Sequence, residues 1–270
     1  MLKPIANRRW WVLSCGFGAL ALGAALAASA PLRWAIAAEF APEQRRAVES
    51  IVHDYLMQHP DLLIETLQKA EAKLKSDASE TARQALTARH REIFDDPQTP
   101  VGGNPRGDVT LVEFFDYRCP YCKQVQPSLE KLLGKDGNLR IVYKEFPILG
   151  PVSVTAARAA LAARRQGKYA AFHDAMMAAS GTITEDTVYK VAGSVGLDIA
   201  RLKGDMAAPD ISALLKANLA LASALDVSGT PTFVIGDQLV PGAVDLASLE
   251  KLVAQARKDN REKEKPHGSR

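Results

Sequence analysis

Two cysteines separated by two residues, Cys119 and Cys122, are the residues of this chain best suited to chemistry. They stand in a Cys-Pro-Tyr-Cys motif that follows a strand-like run and opens a helical one, and in that context such a pair carries out thiol–disulfide exchange. The free amides and the dipole at a helix N-terminus stabilise an anion, so we expect Cys119 to be the attacking thiolate. Cys122 lies one helical turn further on, where its sulfur can resolve a mixed disulfide. The alternative is a pair of buried structural cysteines.

A carboxylate, Glu113, lies six residues before Cys119 in a run that is otherwise apolar. Strand alternation places Glu113 and Phe115 on one side of this run. A carboxyl group in such a strand is partly desolvated, which raises its pKa and suits it to relay a proton to or from Cys122. A structural ion pair with Lys144 is the alternative.

The segment Gly229-Thr230-Pro231-Thr232-Phe233 is the second strong signal. A proline between two threonines, after glycine and just ahead of a strand, predicts a tight turn with a cis Thr230–Pro231 bond. In a thioredoxin fold this turn lies beside the Cys-x-x-Cys loop. The backbone of Thr230 is then placed to pair with an extended substrate segment.

The elements that position these residues indicate an α/β fold with a large helical insert. Strand-like runs cover residues 109–115, 139–146 and 232–235, and an Ala-rich helical stretch covers residues 153–225. We therefore divide the chain into a signal peptide (1–37), a helical N-terminal segment (38–94), a linker (95–108), a redox domain (109–257) with a helical insert (152–226), and a disordered tail (258–270). The linker prediction rests on three prolines and three glycines.

The N-terminus predicts export. Lys3, Arg8 and Arg9 precede an apolar run over residues 10–30 that carries no charge, and the small-residue site at 35–37 fits cleavage after residue 37. The alternative is a retained membrane anchor, because the run is long enough to span a bilayer. Removing the four basic residues within 1–37 from the 34 in the chain leaves 30, against 31 acidic residues. A nearly neutral mature chain gives no reason to expect a nucleic-acid partner.

Two apolar patterns run along the helical segment 38–94. The first is a stripe at helical spacing, formed by Val48, Ile51, Val52, Tyr55 and Leu56. The second is a short seam at alternating spacings of four and three, formed by Leu63, Leu67, Ala70 and Leu74. The segment is too poor in apolar residues to fold alone. It either docks on the redox domain or associates with copies of itself into a homo-oligomer.

Cys15 falls within the predicted signal peptide, so the mature chain keeps two cysteines. A structural zinc site needs four ligands, and the five histidines show no H-x-x-x-H spacing, so we expect no metal of that kind. Two soft thiolates do favour Cu(I). Copper held between Cys119 and Cys122 is therefore a second functional hypothesis.

The run from Glu113 to Cys122, together with Gly229-Thr230-Pro231-Thr232-Phe233, resembles the DsbA-type thioredoxin-fold oxidoreductases of bacterial envelopes. The helical segment, with His59-Pro60, is similar to the ScsC and Com1-like branch. The resemblance implies a thioredoxin fold with an inserted helical domain, and a periplasmic enzyme that forms or isomerises disulfides. Its partners are unfolded or misoxidised exported proteins and a membrane redox partner.

The resemblance also implies the roles of the site residues. Cys119 attacks, Cys122 resolves, Glu113 is the buried carboxylate, and Thr230-Pro231 is the cis-proline loop. The Cys119–Cys122 disulfide is then the redox centre, and no other cofactor is needed. Pro120-Tyr121 tunes the motif and departs from the Pro-His pair of the most oxidising members, so the direction of exchange stays open. A glutathione-dependent isomerase or transferase on the same scaffold is the third hypothesis.

Overall fold

The computed structural model describes residues 41–264. The predicted signal peptide at 1–37 and the last six residues of the predicted tail lie outside this range. Two compact units divide the chain, residues 1–64 and residues 65–270. Within residues 41–264, no helix combines the length and the apolar character needed to cross a membrane.

The first unit contains helix α1 (Pro42–Gln58) and the start of α2 (Pro60–Ala88). A proline opens each helix, where its missing N–H would have no intrahelical partner. The backbone amide of Ala41 donates to the side chain of Gln44 and closes the first turn of α1. No residue of α1 is buried, and the predicted stripe from Val48 to Tyr55 is exposed.

In the second unit, α2 continues and is followed by α3 (His90–Phe94). The seam residues Leu67 and Leu74 on α2 are exposed, Leu74 by 69%. Further along, Leu86 and Ile93 are buried in an apolar cluster with Val112 of the central sheet. The C-terminal end of the helical segment therefore docks on the redox domain, whereas the seam residues Leu67 and Leu74 remain exposed to solvent.

The sheet has five strands in the order β1-β3-β2-β4-β5. They are β1 (Val101–Gly103), β2 (Val109–Phe115), β3 (Leu139–Glu145), β4 (Thr232–Ile235) and β5 (Gln238–Pro241). β2 and β3 are parallel, and the other neighbours are antiparallel. The sheet is mixed. Strands β2 and β3 are almost wholly buried, as expected where both faces of a sheet are covered.

Helix α4 (Pro120–Lys135) connects β2 to β3. Five helices lie between β3 and β4, in the region predicted as the insert: α5 (Pro151–Arg164), α6 (Tyr169–Ala178), α7 (Glu185–Ser194), α8 (Ile199–Met206) and α9 (Pro209–Ala224). The larger apolar core joins this insert and α4 to the face of the sheet that carries Leu111 and Phe115. The chain thus has the predicted α/β thioredoxin fold with an inserted helical domain.

The predicted linker at 95–108 is wrong over residues 101–103, which form β1 and pair with β3. The glycines that indicated a linker are required by the strand itself. A Cβ at Gly102 would lie 2.8 Å from the Tyr143 ring, and one at Gly103 would lie 2.5 Å from the Leu139 carbonyl oxygen. Gly103 also has a φ of +67°, which favours glycine.

The predicted disordered tail at 258–270 is wrong over its first seven residues, because α10 runs from Leu246 to Glu264. Charged side chains in this stretch and directly before it have partners on the domain. Arg257 binds the carboxylates of Asp108 and Asp136 at 2.7–2.8 Å, and Lys263 binds Asp237 at 2.8 Å. A composition that resembles a solvated tail is here the outer face of a docked helix.

Candidate active site

Cys119 is the residue that caps the N-terminus of α4, and Pro120 occupies the first helical position. The cysteine backbone is extended, with φ −73° and ψ 118°, so its side chain lies at the open end of the helix. Its side chain is nearly buried, at 3% exposure, and Cys122 is fully buried. The predicted positions, with Cys119 at the helix start and Cys122 one turn inside, match this arrangement.

The loop between β2 and α4 is held by a buried carboxylate, Asp116. Its oxygens accept hydrogen bonds from the Arg118 amide at 2.8 Å, the Ser153 hydroxyl at 2.8 Å and the Leu149 amide at 3.0 Å. The carbonyl of Asp116 accepts from the Cys119 amide at 3.0 Å. Asp116 therefore ties the cysteine loop to the start of α5. Sequence analysis missed this residue, although an aspartate between a strand and a helix is a signal for such a turn.

The Thr230–Pro231 turn lies directly against Cys119. The Cys119 thiol donates to the carbonyl oxygen of Thr230 at 3.1 Å, and the Thr230–Pro231 bond is cis, in agreement with the sequence prediction. The turn is held in place because the Thr232 hydroxyl donates to the Gly229 carbonyl and the Gly242 amide donates to the Pro231 carbonyl, both at 2.8 Å.

Burial raises the pKa of the Cys122 thiol, and the neighbouring Glu113 carboxylate raises it further. A thiol in this environment stays protonated near neutral pH and needs a base before it can attack a mixed disulfide. Burial also raises the pKa of Glu113, to about 8. Both carboxyl oxygens of Glu113 are buried, and neither has a hydrogen-bond partner among the described residues. Glu113 is therefore a buried acid that changes protonation state near neutral pH, close enough to interact with Cys122.

The alternative ion pair between Glu113 and Lys144 is wrong. In the parallel register, Glu113 lies opposite Tyr143, and Lys144 lies opposite Phe114. Side chains alternate between faces along a strand, so the register places Lys144 on the other face of the sheet. The Lys144 ammonium there donates to the Glu92 carbonyl at 2.7 Å and to the Thr99 hydroxyl at 2.9 Å.

Lys123, directly after Cys122, connects the active-site helix to the insert. Its ammonium donates to three carbonyl oxygens at the C-terminal end of α6, those of Met176, Met177 and Ala179, at 2.6–3.2 Å. Burial lowers the pKa of Lys123, and the nearby Cys122 opposes that shift. Sequence analysis missed this contact because the carbonyls lie more than 50 residues away.

Exposed apolar side chains lie on or near the cysteine loop. Tyr121 of the motif is 60% exposed, and Ile148 and Leu149 are also exposed. Leu149 lies beside the cysteine loop, because its amide donates to Asp116 and its carbonyl accepts from the Arg118 guanidinium.

Comparisons with known proteins agree with this site. Residues 110–254 match the DSBA-like thioredoxin domain, and residues 44–75 match the copper resistance protein ScsC N-terminal domain. A thioredoxin-like oxidoreductase from Silicibacter pomeroyi is 52% identical, with a TM-score of 0.61, over 62% of this chain and 97% of that one. A linker-deletion mutant of Proteus mirabilis ScsC is 27% identical, with a TM-score of 0.61, over 82% of this chain and 99% of that one.

Among curated proteins, the antiporter NhaA 1 of Salinispora arenicola is 30% identical over 164 residues, which are 60% of this chain. This chain spans about a quarter of that antiporter's length. The first domain match covers more than half of the chain and includes both cysteines, Glu113 and the cis-proline turn. The protein therefore belongs to the DSBA-like thioredoxin domain family, in its ScsC-like branch, a family of thiol:disulfide oxidoreductases.

Proposed function

We propose that this protein forms or isomerises disulfide bonds in exported proteins of the periplasm, with Cys119 and Cys122 as its redox-active pair. The observation that carries the proposal is the position of the Cys119 sulfur, at the start of α4 and 3.1 Å from the Thr230 carbonyl oxygen. The site requires no other cofactor, because the Cys119–Cys122 disulfide itself accepts and returns two electrons.

In the oxidising direction, a substrate thiolate attacks Cys119 in the enzyme disulfide. A mixed disulfide forms, and the Cys119–Cys122 bond breaks. The leaving Cys122 thiolate takes a proton, for which Glu113 is the nearby buried donor. A second substrate thiolate then attacks the substrate sulfur of the mixed disulfide. This step forms the substrate disulfide and releases Cys119 as a thiolate, so two electrons pass to the enzyme.

In isomerisation, the Cys119 thiolate attacks a wrong substrate disulfide and releases one substrate thiolate. That thiolate attacks another disulfide of the substrate, and the rearranged chain finally expels Cys119, with no net electron transfer. When rearrangement stalls, Glu113 accepts the proton of Cys122, and Cys122 then attacks Cys119 to free the substrate in reduced form. The raised pKa of Cys122 makes this rescue step slow without a base.

A substrate segment reaches Cys119 along the Thr230–Pro231 turn. The main chain of Thr230 is beside the sulfur, so an extended segment can pair with it in β fashion. Tyr121, Ile148 and Leu149 offer exposed apolar contacts to side chains of that segment. These contacts are sequence-tolerant, which suits a range of unfolded or misoxidised proteins.

The N-terminal pattern supports export, and the exposed apolar seam on α2 supports self-association of the helical segment. Seam residues Leu67 and Leu74 are exposed apolar side chains of α2. Bringing several active sites together favours isomerisation, because one subunit holds a substrate while another attacks it. A membrane partner then keeps the dithiol reduced; an oxidase requires instead a partner that reoxidises it.

The second candidate function is Cu(I) handling by the same two thiols, which the match of residues 44–75 to a copper-resistance domain favours. Cys119 and Cys122 are adjacent soft ligands. No group of three or more histidine, cysteine or acidic side chains is arranged to hold a metal within residues 41–264. Copper would therefore be held by the two sulfurs, and its binding would block the redox reaction.

The test is the reduction potential of the Cys119–Cys122 pair, measured beside refolding of a substrate with scrambled disulfides. Dithiol enzymes span about −270 to −120 mV, and the potential together with isomerase activity separates an oxidase from an isomerase. Cys119→Ser is the control. It cannot form the Cys119–Cys122 disulfide, so it should show no two-electron redox equilibrium and no refolding activity. A full-length protein that binds Cu(I) stoichiometrically, yet neither oxidises nor rearranges the substrate, would decide for the copper function.

A further inference from the structure

A buried polar cluster lies beneath the cysteine loop and takes no part in the reaction described above. The Tyr117 hydroxyl lies 3.1 Å from Glu145 Oε1 and 3.1 Å from His173 Nδ1. The Tyr169 hydroxyl donates to the same Glu145 oxygen at 2.9 Å. All four side chains are buried. Buried polar groups are costly unless they bond to one another, so this cluster holds its members in one arrangement.

The cluster joins three parts of the domain. Tyr117 belongs to the loop between β2 and α4, two residues before Cys119, and Glu145 is the last residue of β3. Tyr169 and His173 lie on α6 in the helical insert. Glu145 is itself fixed, because its backbone carbonyl accepts a hydrogen bond from the Asn218 side chain of α9 at 3.1 Å. The hydroxyl of Tyr117 is thus the point at which the cysteine loop meets the insert.

The proton carried by the His173 ring and the proton of the Tyr117 hydroxyl determine which atom donates in each hydrogen bond. Burial lowers the pKa of His173 to about 3, so the ring is neutral and carries one N–H. A tyrosine hydroxyl donates one hydrogen bond and accepts others. Nε2 of His173 has no partner among the described residues, so the proton on Nδ1 leaves no buried donor unpaired. His173 then donates to Tyr117, and Tyr117 donates to Glu145.

We propose that Tyr117 is a positioning residue for Cys119, and that Glu145 and His173 hold it. The hydrogen-bonded chain fixes the loop whose end places the Cys119 sulfur at the start of α4 and against Thr230. The helical insert therefore holds the loop that carries the attacking thiol, in addition to covering one face of the sheet. Release of this anchor lets the sulfur move away from the start of α4, where the helix dipole favours an anion, and this destabilises the reduced enzyme.

The test compares Tyr117→Phe with Tyr169→Phe. Each substitution deletes one buried hydroxyl that donates to the same Glu145 oxygen, but only Tyr117 is attached to the cysteine loop. We expect Tyr117→Phe to lower the equilibrium constant for reduction by glutathione about tenfold, which is about 30 mV for this two-electron couple, and to slow alkylation of Cys119. Tyr169→Phe should leave both quantities at the wild-type value.

Equal potentials for wild type and Tyr117→Phe, or equal shifts in both phenylalanine variants, would overturn the proposal. If Tyr117→Phe does not fold, the pair Glu145→Gln and Glu145→Leu decides. Gln keeps an acceptor for Tyr117 and should retain the wild-type potential, whereas Leu should shift it. If Glu145→Leu keeps the wild-type potential, or if Glu145→Gln is shifted as far as Glu145→Leu, the positioning role of Tyr117 is wrong. The proposal rests on the dithiol chemistry alone, and the potential is measured without a protein substrate, so failure of the isomerase assay leaves it standing.

Discussion

The Cys119 thiol donates a hydrogen bond to the carbonyl oxygen of Thr230, 3.1 Å away in space and 111 residues further along the chain. The whole helical insert lies between these two residues in sequence. The Cys119 sulfur therefore meets the Thr230 carbonyl only when both halves of the thioredoxin domain have assembled.

The two cysteines should give different products when each is replaced. Cys119→Ser removes the thiol at the helix start and should abolish disulfide exchange. Cys122→Ser should leave attack intact and accumulate mixed disulfides, because the resolving thiol is missing. Non-reducing electrophoresis and mass spectrometry of trapped substrate complexes measure both results. If iodoacetamide modifies Cys122 before Cys119 in the reduced protein, the two roles are reversed.

Glu113→Gln should slow the resolving step by about a hundredfold, the low end of the range for a positioned general acid or base. The reason is that burial keeps the Cys122 thiol protonated. The nearby Glu113 carboxylate, with a pKa of about 8, is suited to take that proton. Stopped-flow release of a small thiol from the Cys119 mixed disulfide, followed from pH 6 to pH 9, measures this step. The same rate and pH profile in both proteins would make Glu113 a structural residue.

Glu113 also predicts how stability varies with pH. Burial raises its pKa to about 8 in the folded protein, against an ordinary value of 4.5. Between these values the folded state holds a proton that the unfolded state has released, so the free energy of unfolding falls as pH rises. The loss is about 3 kcal/mol by pH 7, at roughly 1.4 kcal/mol per unit. Urea unfolding at pH 5 to 8 should show a flatter profile for Glu113→Gln; parallel profiles would refute this linkage.

Lys144→Met should lower the free energy of unfolding by roughly 1–3 kcal/mol, because the Glu92 carbonyl and the Thr99 hydroxyl lose their buried donor. Lys135→Met is the matched control. Lys135 pairs with Glu250 on the surface, where such pairs contribute about 0–1 kcal/mol. Urea titrations of both variants at pH 7 give the comparison. Equal effects would mean that the buried lysine does not hold α3 on the sheet.

Self-association is tested by placing charge on the seam. The double variant Leu67→Lys and Leu74→Lys changes two exposed side chains of α2 in the full-length protein. We expect an oligomer to become a monomer and isomerase activity to fall, while the reduction potential is unchanged. Lys69→Ala on the same helix is the control. Light scattering gives the mass, and a wild-type protein that is already monomeric at micromolar concentration would refute self-association.

The sequence was sufficient for the parts of the site that are local or periodic. The Cys-x-x-Cys spacing predicts a thiol at a helix start, and alternation along β2 predicts that Glu113 and Phe115 share a face. Both follow from geometry within a few residues. The cross-strand neighbour of Glu113 was not predictable, because it depends on strand register. A shift of one residue decides whether Tyr143 or Lys144 faces it.

The features that sequence analysis missed are those that join distant segments. Tyr117, Glu145 and His173 come from three separate elements, and nothing in their local sequence marks them as a cluster. Two segments were misassigned from composition. The glycines of β1 indicated a linker, although close strand contact requires them. The charges of residues 258–264 indicated a tail, although Lys263 in that stretch binds Asp237 of the domain.

Leu86 and Ile93 pack against the sheet, and this packing determines where a separately expressed catalytic domain must begin. A fragment cut at the first central strand, near residue 109, would expose Val112 and Phe114 to water and leave Lys144 without its carbonyl partner on α3. A catalytic domain cut out for expression should therefore start before Leu86, within α2. One continuous helix, α2, thus carries both the exposed seam residues Leu67 and Leu74 and the docked residue Leu86.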